Sequence, residues 1–207
     1  MVTIVSVLVA LAIGFVLGRL QKRYSFQNAG EERLRGLINK HCCAPDYHLL
    51  NHVTIRLADG TTQIDHILVS RFGVFVIETK DYRGWIFANP RHGSWTQVLF
   101  QRKFRFQNPI FQNHRHLLAV QALLDFLPPE SVKSAVVFTG SAEFKAAAPT
   151  GVFTLSEFLD HIRSQTHELM SINRVQFCVG RLETARLAIT KATDVEHVES
   201  LAHRHRR

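Results

Sequence analysis

An aspartate and a glutamate stand at the outer ends of two short apolar runs, with a lysine two residues beyond the glutamate. The stretch is Gln63–Lys80, QIDHILVSRFGVFVIETK. Val74–Ile77 is β-branched or aromatic throughout and apolar on both faces, as a strand buried in the middle of a sheet would be. A carboxylate at the end of such a strand calls for a partner. Side chains alternate along a strand, so Glu78 and Lys80 project from one face and Thr79 from the other. A tight turn at Arg71–Phe72 pairs Ser70 with Gly73 or Val69 with Val74, and either register sets Asp65 opposite Glu78. Like charges facing each other across an antiparallel pair are destabilising, more so in apolar surroundings. Either Glu78 pairs with Lys80 on the rim while Asp65 merely starts its strand, or a divalent cation sits between the carboxylates.

The elements that must position these groups can be read on either side. A helix is expected over Gly30–Lys40, with Leu34, Leu37 and Ile38 as its buried stripe; Glu31, three and seven residues before Leu34 and Ile38, points inward with them. Its charge there would serve the helix dipole. A first strand falls within Asp46–Leu57, with His48, Leu50, His52, Thr54 and Arg56 alternating imperfectly against Leu49, Val53, Ile55 and Leu57, and Asp59-Gly60 turns the chain. Trp85–Phe87 and Trp95–Phe100 make a further hairpin. Gln101–Gln107 interleaves cations with phenylalanines: Lys103 and Arg105 share one face, Phe104 and Phe106 the other. This is either an edge strand with a solvated basic side or a ribbon that contacts phosphates through Arg102, Lys103 and Arg105. Asn108-Pro109 caps a helix expected to run to about Phe126, with Gln112, His116 and Ala119 on one face and Leu117, Leu118 and Leu124 as packing surface. Ser134–Thr139 reads as a strand, and Gly151–Leu155 leads into a helix over Ser156–Arg163 with Ser156 as its cap. Residues beyond Ser171 read as helical segments ending in the basic tail His203–Arg207.

The string Thr62–Val69, followed by Gly73–Lys80 and Gly84, resembles the nuclease-related domain (NERD) family of the PD-(D/E)xK superfamily. Gly30-Glu31 upstream and Asn108-Pro109-x-x-Gln112 downstream extend the likeness over roughly Gln27–Leu127. The resemblance implies an α/β, restriction-endonuclease-like core, a central mixed sheet flanked by helices. It also implies metal-dependent hydrolysis of phosphodiester bonds, most simply of DNA, with RNA not excluded. Asp65, Glu78 and the main-chain carbonyl of Thr79 would hold Mg²⁺, or Mn²⁺ in its place. Lys80, its pKa lowered by partial desolvation beside the cation, would orient or help deprotonate a water. Glu31 would complete the metal shell, and Gln112 would hold Lys80 or the water. A non-catalytic, membrane-tethered nucleic-acid-binding or signalling module on the same fold is the alternative.

Composition agrees with a nucleic-acid or acidic-membrane partner: the 207-residue chain is 46% hydrophobic and carries a formal charge of +8. No Gly-rich phosphate loop, Ser-His-Asp order or dinucleotide fingerprint points to another chemistry, and no small-molecule cofactor is expected. Three cysteines without CxxC spacing read as reduced thiols. Val2–Leu17 is uncharged and almost wholly apolar, with Arg19, Lys22 and Arg23 after it, so residues 1–20 are expected to form a transmembrane anchor of the plasma (inner) membrane, with the globular part cytoplasmic. The expected order is anchor (1–20), juxtamembrane linker (21–29), nuclease-related domain (30–165), and C-terminal helical extension with basic tail (166–207).

Overall fold

The computed structural model describes residues 29–204. The anchor expected over residues 1–20 therefore lies outside the described residues, as do most of the linker and residues 205–207 of the tail. Among the described residues, no helix is long and apolar enough to cross a membrane.

The chain opens with α1 (Ala29–His41) and three antiparallel strands, β1 (Tyr47–Leu57), β2 (Gly60–Ser70) and β3 (Gly73–Lys80). It continues through β4 (Gly84–Phe87), β5 (Ser94–Leu99) and β6 (Arg102–Gln107) into α2 (Pro109–Leu123). After a 3-10 turn come β7 (Val132–Phe138), β8 (Ala142–Phe144), β9 (Val152–Thr154), α3 (Leu155–Arg163), α4 (Ile172–Ala185) and α5 (Lys191–Arg204). The central sheet has the order β1-β2-β3-β7-β9 and is mixed, because β7 lies parallel to both β3 and β9. The expected mixed sheet flanked by helices is present. A second sheet, β6-β5-β4-β8, accompanies it.

Alternation divides the central sheet's side chains between two cores. Val74, Val76, Ile67 and Val69 pack under α2 and α4, meeting Val120, Val175 and Leu182. Phe75, Ile77 and Leu68 face α1 and α3, meeting Leu34, Ile38, Phe158 and Ile162. Every residue of β3 from Gly73 to Thr79 is buried, so burying its apolar side chains stabilises the fold by about 2 kcal/mol for each Val or Ile. The turn has the expected two residues, with Ser70 opposite Gly73.

Several local expectations need correction. The cap of α3 is Thr154 rather than Ser156: Thr154 accepts from the Glu157 amide while the Glu157 carboxylate accepts from the Thr154 amide, a reciprocal box. Helix α2 ends at Leu123, short of Phe126, and Leu118 on it is 52% exposed instead of packed. Leu37 on α1 is half-buried. The helices after Ser171 do more than extend the chain, since Val175, Cys178 and Leu182 of α4 belong to the core beneath β1 and β2.

One strand irregularity matters for the site. Asn51 pairs with His66 and Val53 with Ile64, so His52 falls opposite Asp65. His52 has φ 50°, left-handed backbone that a β strand does not otherwise use. The alternation of both strands breaks there: Leu50, Val53 and Ile55 share one core, as do Ile64, Ile67 and Val69. The kink shifts the alternation at Asp65 and is where the imperfect pattern of Asp46–Leu57 resolves in the fold.

Candidate active site

The β2–β3 ladder ends with His66 opposite Ile77, and the next residue of each strand, Asp65 and Glu78, stands at that end, as the turn length dictates. The two carboxylates reach different neighbours. Asp65 Oδ2 accepts from the Thr79 amide at 2.7 Å and from the Thr79 hydroxyl at 2.6 Å. Glu78, buried within the sheet, accepts at Oε1 from Lys80 Nζ at 2.5 Å. Lys80 Nζ also donates to Gln112 Oε1 at 3.1 Å. The pairing of Glu78 with Lys80 is thus real, and it occurs inside the site rather than on a solvated rim.

Helix α2 brings the remaining groups because its first turn is fixed at both ends. Asn108 caps it by accepting from the Ile110 amide, and the Asn108 amide group donates to His92 O at 2.8 Å in the β4–β5 loop. The buried Asn113 clamps the helix to the sheet, donating to Val76 O at 2.9 Å, Ser134 Oγ at 2.8 Å and Ala135 O at 3.1 Å. Gln112 and His116 are thereby held over the ends of β2 and β3. His116 Nδ1 lies 2.7 Å from Thr62 Oγ1, and Nε2 lies 3.3 Å from Glu78 Oε2, too poorly aligned to satisfy either atom as a hydrogen bond. A carboxylate beside Nε2 favours a proton on that nitrogen, so the Thr62 hydroxyl donates to Nδ1 when the ring is neutral.

The electrostatics follow from burial and crowding. Burial, and then the neighbouring Glu78 charge, push the Asp65 carboxyl up to about 6 against the opposing pull of the Thr79 bonds. Burial alone would raise Glu78 as well, but His116 and Lys80 together hold it below the usual carboxylate value. Lys80 belongs to the same pair. Burial would lower its pKa, yet the Glu78 carboxylate beside it raises the value above that of an ordinary lysine, so in this arrangement it is a fixed ammonium. Next to Asp65 in the chain, His66 is buried, donates from Nδ1 to Asn51 Oδ1 at 2.8 Å, and is pushed down to about 4, first by burial and then by Arg35.

Glu31 is buried near the start of α1, as its helical phase requires. Arg33 ties that helix to the end of β3, pairing with Asp81 and donating to Thr139 O at 3.1 Å. The main chain at Glu31 lies against His66, which puts Glu31 on the α1 side of the sheet and Lys80, Gln112 and His116 on the α2 side. Arg102, Lys103 and Arg105 lie exposed on β6, the edge strand of the second sheet. They are separate from the carboxylate cluster.

Two contributors went unread as functional residues. His116 had a usable signal, since it is four residues after Gln112 on the same helix face. Asn113 had none, because its role depends on where β3 and β7 pass beneath the helix. A cavity of about 520 Å³ opens beside the cluster, lined by Thr62, Gln107, Gln112 and His116 on one side and by His197 and Leu201 of α5 on another.

Among the described residues, no three His, Cys, Asp or Glu side chains come together as a metal cage. The site still suits a hard divalent ion of the Mg²⁺ type, which takes one or two carboxylates and keeps several waters. Glu78 Oε2 is buried without a hydrogen-bond partner, and both bonds to Asp65 fall on Oδ2, outside Oδ1.

Comparison with known proteins bears on this geometry. A family model described as "Nuclease-related domain" matches residues 27–139, a span that contains Glu31, Asp65, Glu78, Lys80 and Gln112. Over 98 residues the chain is 42% identical to an uncharacterized protein of Bacillus anthracis, a match covering 47% of this chain and 46% of that protein. The chain therefore spans about half the length of the curated relative it matches. No solved structure matches it.

Proposed function

This chain belongs to the nuclease-related domain family, and from that premise we propose that it is a metal-dependent nuclease hydrolysing phosphodiester bonds, with DNA as the first substrate to test. The observation that carries the reading is the convergence of Asp65, Glu78, Lys80, Gln112 and His116 at one buried point, where Asp65 is pushed up to about 6 by burial and by Glu78. Two carboxylates forced together with a fixed cation beside them form a strained arrangement characteristic of a functional site.

Asp65 and Glu78, with the main-chain carbonyl of Thr79, would hold Mg²⁺ or Mn²⁺. The ion would acidify a bound water and offset charge building on the scissile phosphate. Lys80, kept as an ammonium by Glu78 and aimed by Gln112, donates to the attacking water or to a phosphate oxygen; a compact charge with movable donors suits both tasks. His116 holds Glu78 in its ionised form from the helix side. Glu31, across the sheet, would act through the main chain around His66 rather than as a ligand beside Lys80. The apolar amino-terminal run would tether this activity to the membrane.

The test is cleavage of supercoiled plasmid, linear duplex, single-stranded DNA and RNA by the full chain with Mg²⁺, Mn²⁺ or EDTA. Metal-dependent cleavage of any of these supports the proposal. Nucleic-acid binding without cleavage under every metal condition would replace it with the non-catalytic binding module.

A further inference from the structure

The second sheet has one buried and one open face. Ile86 and Trp95 turn inward and pack on Val136 and Phe138. The cross-strand pairs Trp85 with Val98 and Val98 with Lys103, and Phe87 with Thr96 and Thr96 with Arg105, place the other set on the outer face. Trp85 and Phe87 stand two residues apart on β4 and are 48% and 49% exposed. Lys103 and Arg105 flank them on the edge strand. From the opposite edge, Lys145 lies 4.1 Å from the Trp85 ring centroid, with Glu143 as its ion-pair partner at 2.6 Å. Three cations against one carboxylate surround two neighbouring aromatic rings.

A second observation is independent of that face. The β5–β6 hairpin closes through the two residues Phe100 and Gln101, since Leu99 pairs with Arg102. Such turns take Asn or Gly where φ is positive. Here Phe100 occupies that position with φ 55° and is 94% exposed. A bulky aromatic held in left-handed backbone at a solvent-facing tip serves neither the turn nor a core, and strain of this kind marks functional positions. From that tip β6 runs to Gln107, which lines the cavity beside Gln112 and His116.

We propose that the outer face of the second sheet is a single-stranded nucleic-acid platform: bases stack on Trp85, Phe87 and the hairpin-tip Phe100, phosphates lie along Lys103, Arg105 and Lys145, and β6 leads the strand into the candidate active site. Exposed aromatics interleaved with cations are the features that bind single strands without reading sequence, because every base offers a π face. A duplex cannot use the rings in this way. The proposal rests on the reading of the site as one that handles nucleic acid, and binding to the platform does not depend on turnover.

The experiment measures binding in EDTA, so that cleavage plays no part. The full chain, kept in neutral detergent because of its apolar amino-terminal run, is titrated with a labelled twenty-nucleotide oligo-dT, with a duplex of equal length, and with micelles doped with phosphatidylglycerol. Oligo-dT is expected to quench the exposed Trp85 and leave the buried Trp95 unaffected. Trp85→Ala and Phe87→Ala should each weaken its binding about 10- to 100-fold. Phe100→Asn, which suits left-handed backbone, should weaken binding while leaving thermal stability unchanged or raised. The logarithm of affinity should fall with that of salt at a slope near −2, as about three phosphate contacts to a single strand give. Three results would each overturn the platform: duplex binding as tight as oligo-dT, affinity indifferent to all three substitutions, or Trp85 responding to phosphatidylglycerol and not to the oligonucleotide. The last would reassign the face to a lipid surface. Oligo-dT binding that meets these expectations in a protein that cleaves nothing would leave the platform standing and remove only the nuclease.

Discussion

Replacing Asp65 by asparagine should make the metal-free protein more stable at neutral pH, while removing the function that the aspartate serves. The Asp65 carboxyl is pushed from 3.8 up to about 6, first by burial and then by Glu78. Below pH 4 the group is protonated in both the folded and the unfolded chain and costs nothing. As pH rises from 4 to 6 the unfolded chain releases the proton first, so stability falls with pH; above about 6 the penalty is complete and constant. The displacement corresponds to about 3 kcal/mol, and the partial solvent contact of Asp65 trims that to about 2 kcal/mol. The substituted asparagine would keep an oxygen for the Thr79 amide and hydroxyl, so those two bonds survive the change. The assay is urea unfolding in EDTA at pH 5 and pH 7.5, followed by fluorescence of the buried Trp95. Asp65→Asn should raise the midpoint at pH 7.5 and raise it less at pH 5. Saturating Mg²⁺ should stabilise the natural protein, by about 2.7 kcal/mol at a hundredfold excess over its Kd, and leave the variant unmoved. Equal destabilisation of the variant at both pH values would refute the reasoning and make Asp65 a structural partner of Thr79.

Other substitutions separate support from chemistry. Lys80→Met leaves Glu78 buried without its ammonium; unfolding experiments should show a loss of about 3 kcal/mol or more, as for other broken buried pairs, with cleavage lost as well. Asn113→Ala removes three bonds from α2 to the sheet and should cost about 2–3 kcal/mol in urea unfolding, with a lower kcat because Gln112 and His116 shift together. Gln112→Ala frees one side of Lys80 and should lower kcat with an unchanged unfolding midpoint. Gly60→Ala would place a Cβ 2.0 Å from Ser200 Oγ at a position with φ 128°, so it should loosen α5 from β2, seen as faster amide exchange in that helix.

The core of the site was legible in the sequence because its geometry is local. A two-residue turn at Arg71–Phe72 and strict alternation fix Asp65 opposite Glu78 and Lys80 on the face of Glu78, whatever else the chain does. Helical phase likewise turned Glu31 inward and put Gln112 and His116 on one side. What escaped the sequence depends on long-range placement. The contact of His116 with Glu78, the Asn113 clamp and the packing of α5 beside the cavity join segments far apart in the chain, and no periodicity encodes them. Thr154 displaced Ser156 as a cap because Glu157 completes a reciprocal box only with the residue three before it. Of the second sheet, one hairpin and a candidate edge strand were visible, but its open aromatic face emerged only when burial separated Trp85 and Phe87 from Ile86 and Trp95.

Cleavage and nucleic-acid affinity measured side by side on Asp65→Asn test the central claim most directly. The account predicts that metal-dependent cleavage falls by three orders of magnitude or more, taking about 4 kcal/mol as the share of the acidic pair, while Kd for DNA stays within about threefold. Cleavage that persists in the variant, or cleavage and binding that vanish together in a folded protein, would contradict it.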